Sequence, residues 1–137
     1  MDRLSSAERS RLMARIHSKD TEPEIAVRKT VYGLGYRYRL RVQSLPGKPD
    51  LVFPNRRKVI FVNGCFWHGH ECRVGRYGSS PKSRLEYWRS KIDATRDRDQ
   101  QELRLLGEQG WTCLVIWECE LVDMDSVKRR IVEFLEN

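Results

Sequence analysis

The sequence predicts an α/β fold, a mixed β-sheet with helices packed on its faces. Short apolar runs at 50–53, 58–62 and 113–117 have the length and composition of strands. Other segments repeat their apolar residues at three- and four-residue spacing, as one face of a helix does. The order that results is two helices, three strands, a helix, a strand and a last helix.

Ser5 and Ser6 cap a first helix over 7–17, with Leu12, Met13 and Ile16 as its apolar positions. Thr21, Pro23 and Glu24 form a capping box with proline in the first turn, opening a second helix that runs to about Tyr32 and closes at Gly33. Residues 36–42 alternate apolar side chains with Arg37, Arg39 and Arg41, the period of a half-buried strand. The runs at 50–53 and 58–62, parted by Pro54 and Asn55, form a hairpin. Residues 63–81 are rich in Gly, Ser and His, have no period, and read as loop. Leu85, Trp88, Ile92, Thr95, Leu103 and Leu106 mark one face of a long helix ending at Gly110. After the strand at 113–117, Val127, Ile131 and Leu135 mark a final amphipathic helix.

The 137 residues suit one domain, spanning 1–137. No apolar run approaches the roughly 20 residues of a membrane span. The polar, basic start lacks the apolar segment of a signal peptide, so a cytoplasmic protein is expected. An excess of 26 basic over 19 acidic residues favours a polyanionic partner, nucleic acid before an anionic membrane. Interleaving strengthens that reading: Trp67, Tyr87 and Trp88 lie near basic residues. Arg37, Arg39 and Arg41 suit phosphate contact or a solvated strand face equally well.

Cysteines of a cytosolic protein stay reduced, which turns attention from disulfides to metal binding or burial. Cys65, His68, His70 and Cys72 fall within eight residues, and zinc takes four such ligands in a tetrahedron. With three ligands from this loop, the fourth comes from Cys113 or Cys119. An extended chain would separate those two by ~20 Å, so only one reaches the ion. Cys113 lies inside an apolar run, whereas Cys119 follows the strand's end; Cys119 is the choice. Cys65, His70, Cys72 and Cys119 then fill the tetrahedron, which makes the zinc structural and leaves His68 for other work. The plainer alternative is two buried thiols beside surface histidines.

Pro49-Asp50 opens a strand and a second strand follows at once, which resembles the first half of the PD-(D/E)xK nuclease pattern. There the aspartate holds catalytic magnesium, a cation that prefers hard oxygen ligands. The acidic residue and lysine usual on the next strand are absent: Phe61, Val62 and Asn63 stand there.

The whole chain resembles the very short patch repair (Vsr) mismatch endonucleases. The matching pieces run in one order: Arg9 to Met13, Asp20-Thr21 with Glu24, Leu45-Pro-Gly-Lys-Pro-Asp50, Gly64-Cys-Phe-Trp-His68, His70 and Cys72, Glu86-Tyr-Trp88 with Lys91-Ile92, Arg96-Asp-Arg98 and Trp117-Glu-Cys119. Gly-Cys-Phe-Trp-His before His-x-Cys is the most specific of them. The resemblance implies a restriction-endonuclease-like core with one structural zinc site, in a bacterial-type cytoplasmic, nucleoid-associated enzyme. It implies a magnesium-dependent nick in one strand, 5′ of the thymine in T:G mismatches left by 5-methylcytosine deamination.

Residue by residue, it implies that Asp50 binds magnesium with the backbone carbonyl of Val62, where the family usually has threonine. His68 acts as base on the attacking water, and Glu24 orients water at the metal. Met13, Phe66 and Trp67 wedge into the duplex, as apolar intercalators do at kinked steps, and Lys91 touches bases near the mismatch. Asn63 stands in place of a catalytic histidine and Thr95 in place of an asparagine near the recognised bases. Family members work beside mismatch-repair proteins. Glu24 also has the simpler role of capping partner to Thr21, and the three wedge residues that of core. Two other functions fit the same residues: a related nuclease of different DNA specificity, or a zinc-stabilised DNA-binding module with weakened catalysis.

Overall fold

The structure, a computed structural model, describes residues 21–65 and 85–137, with side chains from 89 onward in the second stretch. The helix expected over 7–17, including Met13, lies outside the described residues, as do Phe66, Trp67, His68, His70 and Cys72. Among the described residues, helix α1 (Glu22–Gly33) precedes strand β1 (Leu51–Phe53), a 3-10 turn and strand β2 (Lys58–Asn63). Helix α2 (Leu85–Glu108), strand β3 (Thr112–Trp117), a 3-10 helix (Glu118–Val122) and helix α3 (Met124–Glu136) follow.

The sheet is mixed, as predicted. Strand β2 is central, pairing antiparallel with β1 (Leu51 opposite Ile60) and parallel with β3 (Ile60 beside Leu114). The strands are apolar on both faces because helices cover both. On one face Leu51, Phe53, Ile60, Val62 and Ile116 meet Val27 and Val31 of α1 and Val127, Ile131 and Leu135 of α3. On the other, Val52 and Val59 meet Leu106 of α2. Burying each such side chain contributes about 1.5–3 kcal/mol, which is what holds the three layers together.

Two helix ends follow the same chemistry. The left-handed residue that closes helix α1 comes two residues after Gly33. Tyr36 donates to the Val31 carbonyl (3.3 Å) and Gly35 to that of Tyr32 (3.0 Å), with Gly35 at φ 97°. This is a Schellman ending, and it needs the left-handed residue at 35, not 33. At the end of α2, Trp111 donates to Leu106 (2.9 Å) and Gly110 to Gly107 (3.1 Å), so the predicted stop at Gly110 stands.

The strand expected over 36–42 does not form. Only Arg39 pairs, through two hydrogen bonds to Val52 of 2.9 and 3.0 Å. Arg41 then takes a left-handed φ of 57°, which turns the chain away before a ladder can extend. The alternation survives all the same: Tyr36 and Tyr38 pack on the core while Arg37 and Arg39 are exposed.

Lys58 is buried at the start of β2, and its Nζ donates to the carbonyls of Phe134 (2.6 Å) and Asn137 (3.0 Å) at the end of α3. Arg56 adds a bond to Leu135 (2.8 Å). Two cations thus satisfy carbonyls that a helix end leaves without partners.

Candidate active site

The turn before β1 sets the position of Asp50. Lys48 donates to the Leu45 carbonyl (3.2 Å) across Pro46-Gly47, and Gly47 takes a φ of 77°, as the third residue of a type II turn must. A Cβ on Gly47 would lie 2.8 Å from Glu102 Oε2 and 3.1 Å from the Phe61 ring, so the turn is pressed onto α2 and β2. Pro49 is fully buried and delivers Asp50 to the head of β1.

There the Asp50 Oδ2 accepts the backbone N–H of Val62 at 2.6 Å. Glu24, buried in the first turn of α1, faces the same carboxyl. Burial pushes the Asp50 carboxyl up to about 7; the Val62 N–H opposes this, the Glu24 charge adds to it, and Arg28 opposes it. Glu24 also completes the predicted capping box. Its backbone N–H donates to Thr21 Oγ1 (3.4 Å) and its Oε2 accepts from Thr21 N (3.3 Å). Capping and facing Asp50 are therefore not rival roles: one carboxylate has both.

A second pair forms where β2 and β3 end. Cys65 is fully buried, its Sγ accepts the backbone N–H of Cys119 (3.4 Å), and its own N–H donates to Glu118 Oε1 (3.3 Å). The 3-10 helix bearing Cys119 is fixed in turn: Trp117 N donates to Glu120 Oε2 (2.7 Å), and Glu120 pairs with Arg130 of α3. Cys113 is elsewhere, level with Val59 and packed with the α2-side cluster, where burial raises its thiol pKa. Among the described residues, no three of His, Cys, Asp or Glu converge on one point.

Asn63 is buried at the end of β2, level with Trp117. Lys91 is exposed on α2, and one turn later Thr95 turns its hydroxyl back onto the Lys91 carbonyl (3.0 Å). Arg37 stacks over the Tyr32 ring at 3.9 Å. Sequence reasoning missed Arg28 and Glu118. The first was signalled by its spacing, four residues after Glu24 on one helix, where opposite charges meet. The second had no local signal, because its partner is remote in sequence.

The fold is similar to that of the catalytic domain of the homing endonuclease I-Bth0305I, with a TM-score of 0.57 over 84% of this chain and 94% of that domain, at 23% identity. The architecture is the expected α/β one, a mixed sheet with helices on its faces. The family described as DNA mismatch endonuclease Vsr matches residues 1–74. A "type II nicking enzyme V.XorIIP" of Xanthomonas oryzae pv. oryzae is 50% identical over 98% of this chain and 97% of its own length. The DNA mismatch endonuclease Vsr of Escherichia coli is 40% identical over 84% of this chain and 72% of its own. The chain belongs to the Vsr family and is a DNA endonuclease.

Proposed function

We propose that this enzyme nicks one strand of duplex DNA on the 5′ side of the thymine in a T:G mismatch, with magnesium at Asp50 and a structural zinc on Cys65, His70, Cys72 and Cys119. The observation that carries the proposal is the Glu24–Asp50 pair at the head of β1, Glu24 buried and Asp50 half-buried. Two carboxyls crowded together out of water repel, and a hard divalent cation relieves that repulsion. The donor set fits magnesium: Asp50 supplies an anionic oxygen and Glu24 a second carboxylate facing it. In a strand, the N–H and C=O of one residue project to the same side. Since the Val62 N–H meets Asp50, its carbonyl faces that side too. When bound, magnesium would neutralise charge on the phosphate.

The chain's own residues do the rest. Val62 N–H holds the Asp50 carboxylate in place, and Glu24 orients water beside it. His68 takes the proton of the attacking water. Asn63 offers hydrogen bonds but no proton transfer, so His68 carries the acid–base work. The zinc part draws support from the bond by which the Cys119 backbone N–H donates to the Cys65 Sγ, as chain segments around a thiolate site do. Met13, Phe66 and Trp67 would enter the duplex and Lys91, exposed on α2, would reach the bases.

End-labelled duplexes, one T:G mismatched and one fully paired, incubated with magnesium or with chelator, test the reading. Expected is a single-strand cut 5′ of the thymine, in the mismatched duplex alone and with magnesium alone. Asp50→Asn should abolish it while DNA binding persists or tightens, because a negative charge near phosphate has gone. Equal cutting of paired DNA would replace the mismatch reading with a nicking enzyme of other specificity. Unchanged cutting by Asp50→Asn would move the site elsewhere.

A further inference from the structure

Arg28 lies one helical turn after Glu24 on α1, and its Nη2 is 3.4 Å from Glu24 Oε2. An exposed pair at this spacing contributes little. This one is shielded, the side chains being 16% and 8% exposed. Thr21 N–H donates to the same Oε2 at 3.3 Å, so one edge of the carboxylate is gripped by a backbone dipole and a guanidinium together. A carboxylate is planar, and holding Oε2 therefore aims Oε1 as well. Arg28 is itself anchored, since its carbonyl accepts the Tyr38 hydroxyl (3.4 Å) and Tyr38 packs edge-on against Phe53 of β1.

The nuclease pattern that Pro49-Asp50 begins takes its cation from the second strand, and β2 supplies only Phe61, Val62 and Asn63 there. We propose that Arg28 is the positioning residue for Glu24, a cation supplied to the nuclease centre from helix α1. This rests on reading Glu24 and Asp50 as that centre. Without Arg28, two neighbouring carboxylates repel, and Glu24 is the one on a flexible stem that can swing away. With it, the planar and permanently charged guanidinium holds Glu24 at the Asp50 side before any DNA arrives. The charge of Arg28 also reaches Asp50, where it opposes the rise caused by burial.

The test compares the parental protein with Arg28→Met and Arg28→Lys on the T:G duplex, at saturating magnesium and enzyme in excess. DNA affinity is measured separately in chelator, and crystal structures of both variants are determined. Arg28→Met should slow the single-turnover nick by about 10²-fold, the scale of a misplaced catalytic group. Its DNA affinity should stay within about twofold, because the loss is not one of binding. Arg28→Lys should recover most of the rate, and in the Arg28→Met crystal Glu24 Oε2 should have left Thr21 N. Should Arg28→Met fail to fold, Arg28→Gln serves the same comparison. A parental rate in the neutral variant, a loss matched by weaker DNA binding, or a loss with Glu24 unmoved would each overturn the assignment. A parental protein that leaves the T:G duplex intact sinks the substrate reading instead, and the position of Glu24 in the variant crystals still decides on Arg28.

Discussion

Asp50 shows how a residue found by a two-letter motif acquires its chemistry from partners far along the chain. Pro-Asp before a strand marked the position; nothing local marked the Val62 N–H or the Glu24 carboxyl that meet it. Arg28 stayed hidden for a related reason, since a Glu–Arg pair on a helix is ordinary until burial gives it weight. The Asp50 environment has a consequence for stability. Its folded-state carboxyl is pushed up to about 7 from 3.8, so the folded protein holds this proton more tightly than the unfolded chain does. The group therefore favours folding below pH 4 and loses that contribution as pH rises through about 7. In urea unfolding of the metal-free protein, Asp50→Asn should gain on the parental protein between those values. The gain should reach the order of a few kcal/mol at pH 8. Magnesium added at pH 8 should stabilise the parental protein and not the variant. Parallel pH curves for the two proteins would show that another group controls the slope.

Helices and strands were legible wherever apolar period and capping agreed. The capping box at Thr21, the hairpin, the long helix and the final helix all lie where the pattern puts them. Residues 36–42 had the right period but no ladder, because a period records which side is buried and not whether a partner strand runs alongside. Arg41, with its left-handed backbone, ended the pairing after one residue. Position relative to the strand pointed to Cys119 over Cys113; the structure sets the Cys119 backbone N–H on the Cys65 Sγ and places Cys113 level with Val59. Elemental analysis of protein purified without added metal should find about one zinc per chain. Cys119→Ser should lose it and melt at lower temperature, because metal-binding energy is folding energy. Cys113→Ser should retain it. The reverse pattern would exchange the fourth ligand.

Over the whole protein, a net charge of +7 predicts salt-sensitive attraction to DNA of any sequence. Discrimination must come from elsewhere, and the sequence offers Phe66 and Trp67 in a polar loop. A T:G wobble pair stacks less well than a Watson–Crick pair, so an aromatic wedge opens it at smaller cost; unstacking an intact step costs about a few kcal/mol. Replacing both aromatics with alanine should weaken binding to mismatched duplex far more than to paired duplex and leave the salt-sensitive component intact. Trp67 fluorescence should be quenched on the mismatched duplex, judged against Trp67→Phe for the other tryptophans. Equal losses on both duplexes would return Phe66 and Trp67 to a packing role.

The bond from Val62 to Asp50 is made by main chain, and that divides the changes a lineage can accept. The side chain at 62 is free to drift among residues that suit the core, since every one of them brings the same N–H. Length is not free. One residue inserted between Lys58 and Ile60 would turn the Val62 N–H toward β3, move Ile60 to the opposite face and strip Asp50 of its anchor in a single step. Descendants of this chain should therefore differ in the letters of β2 while keeping the count between Asp50 and position 62 unchanged.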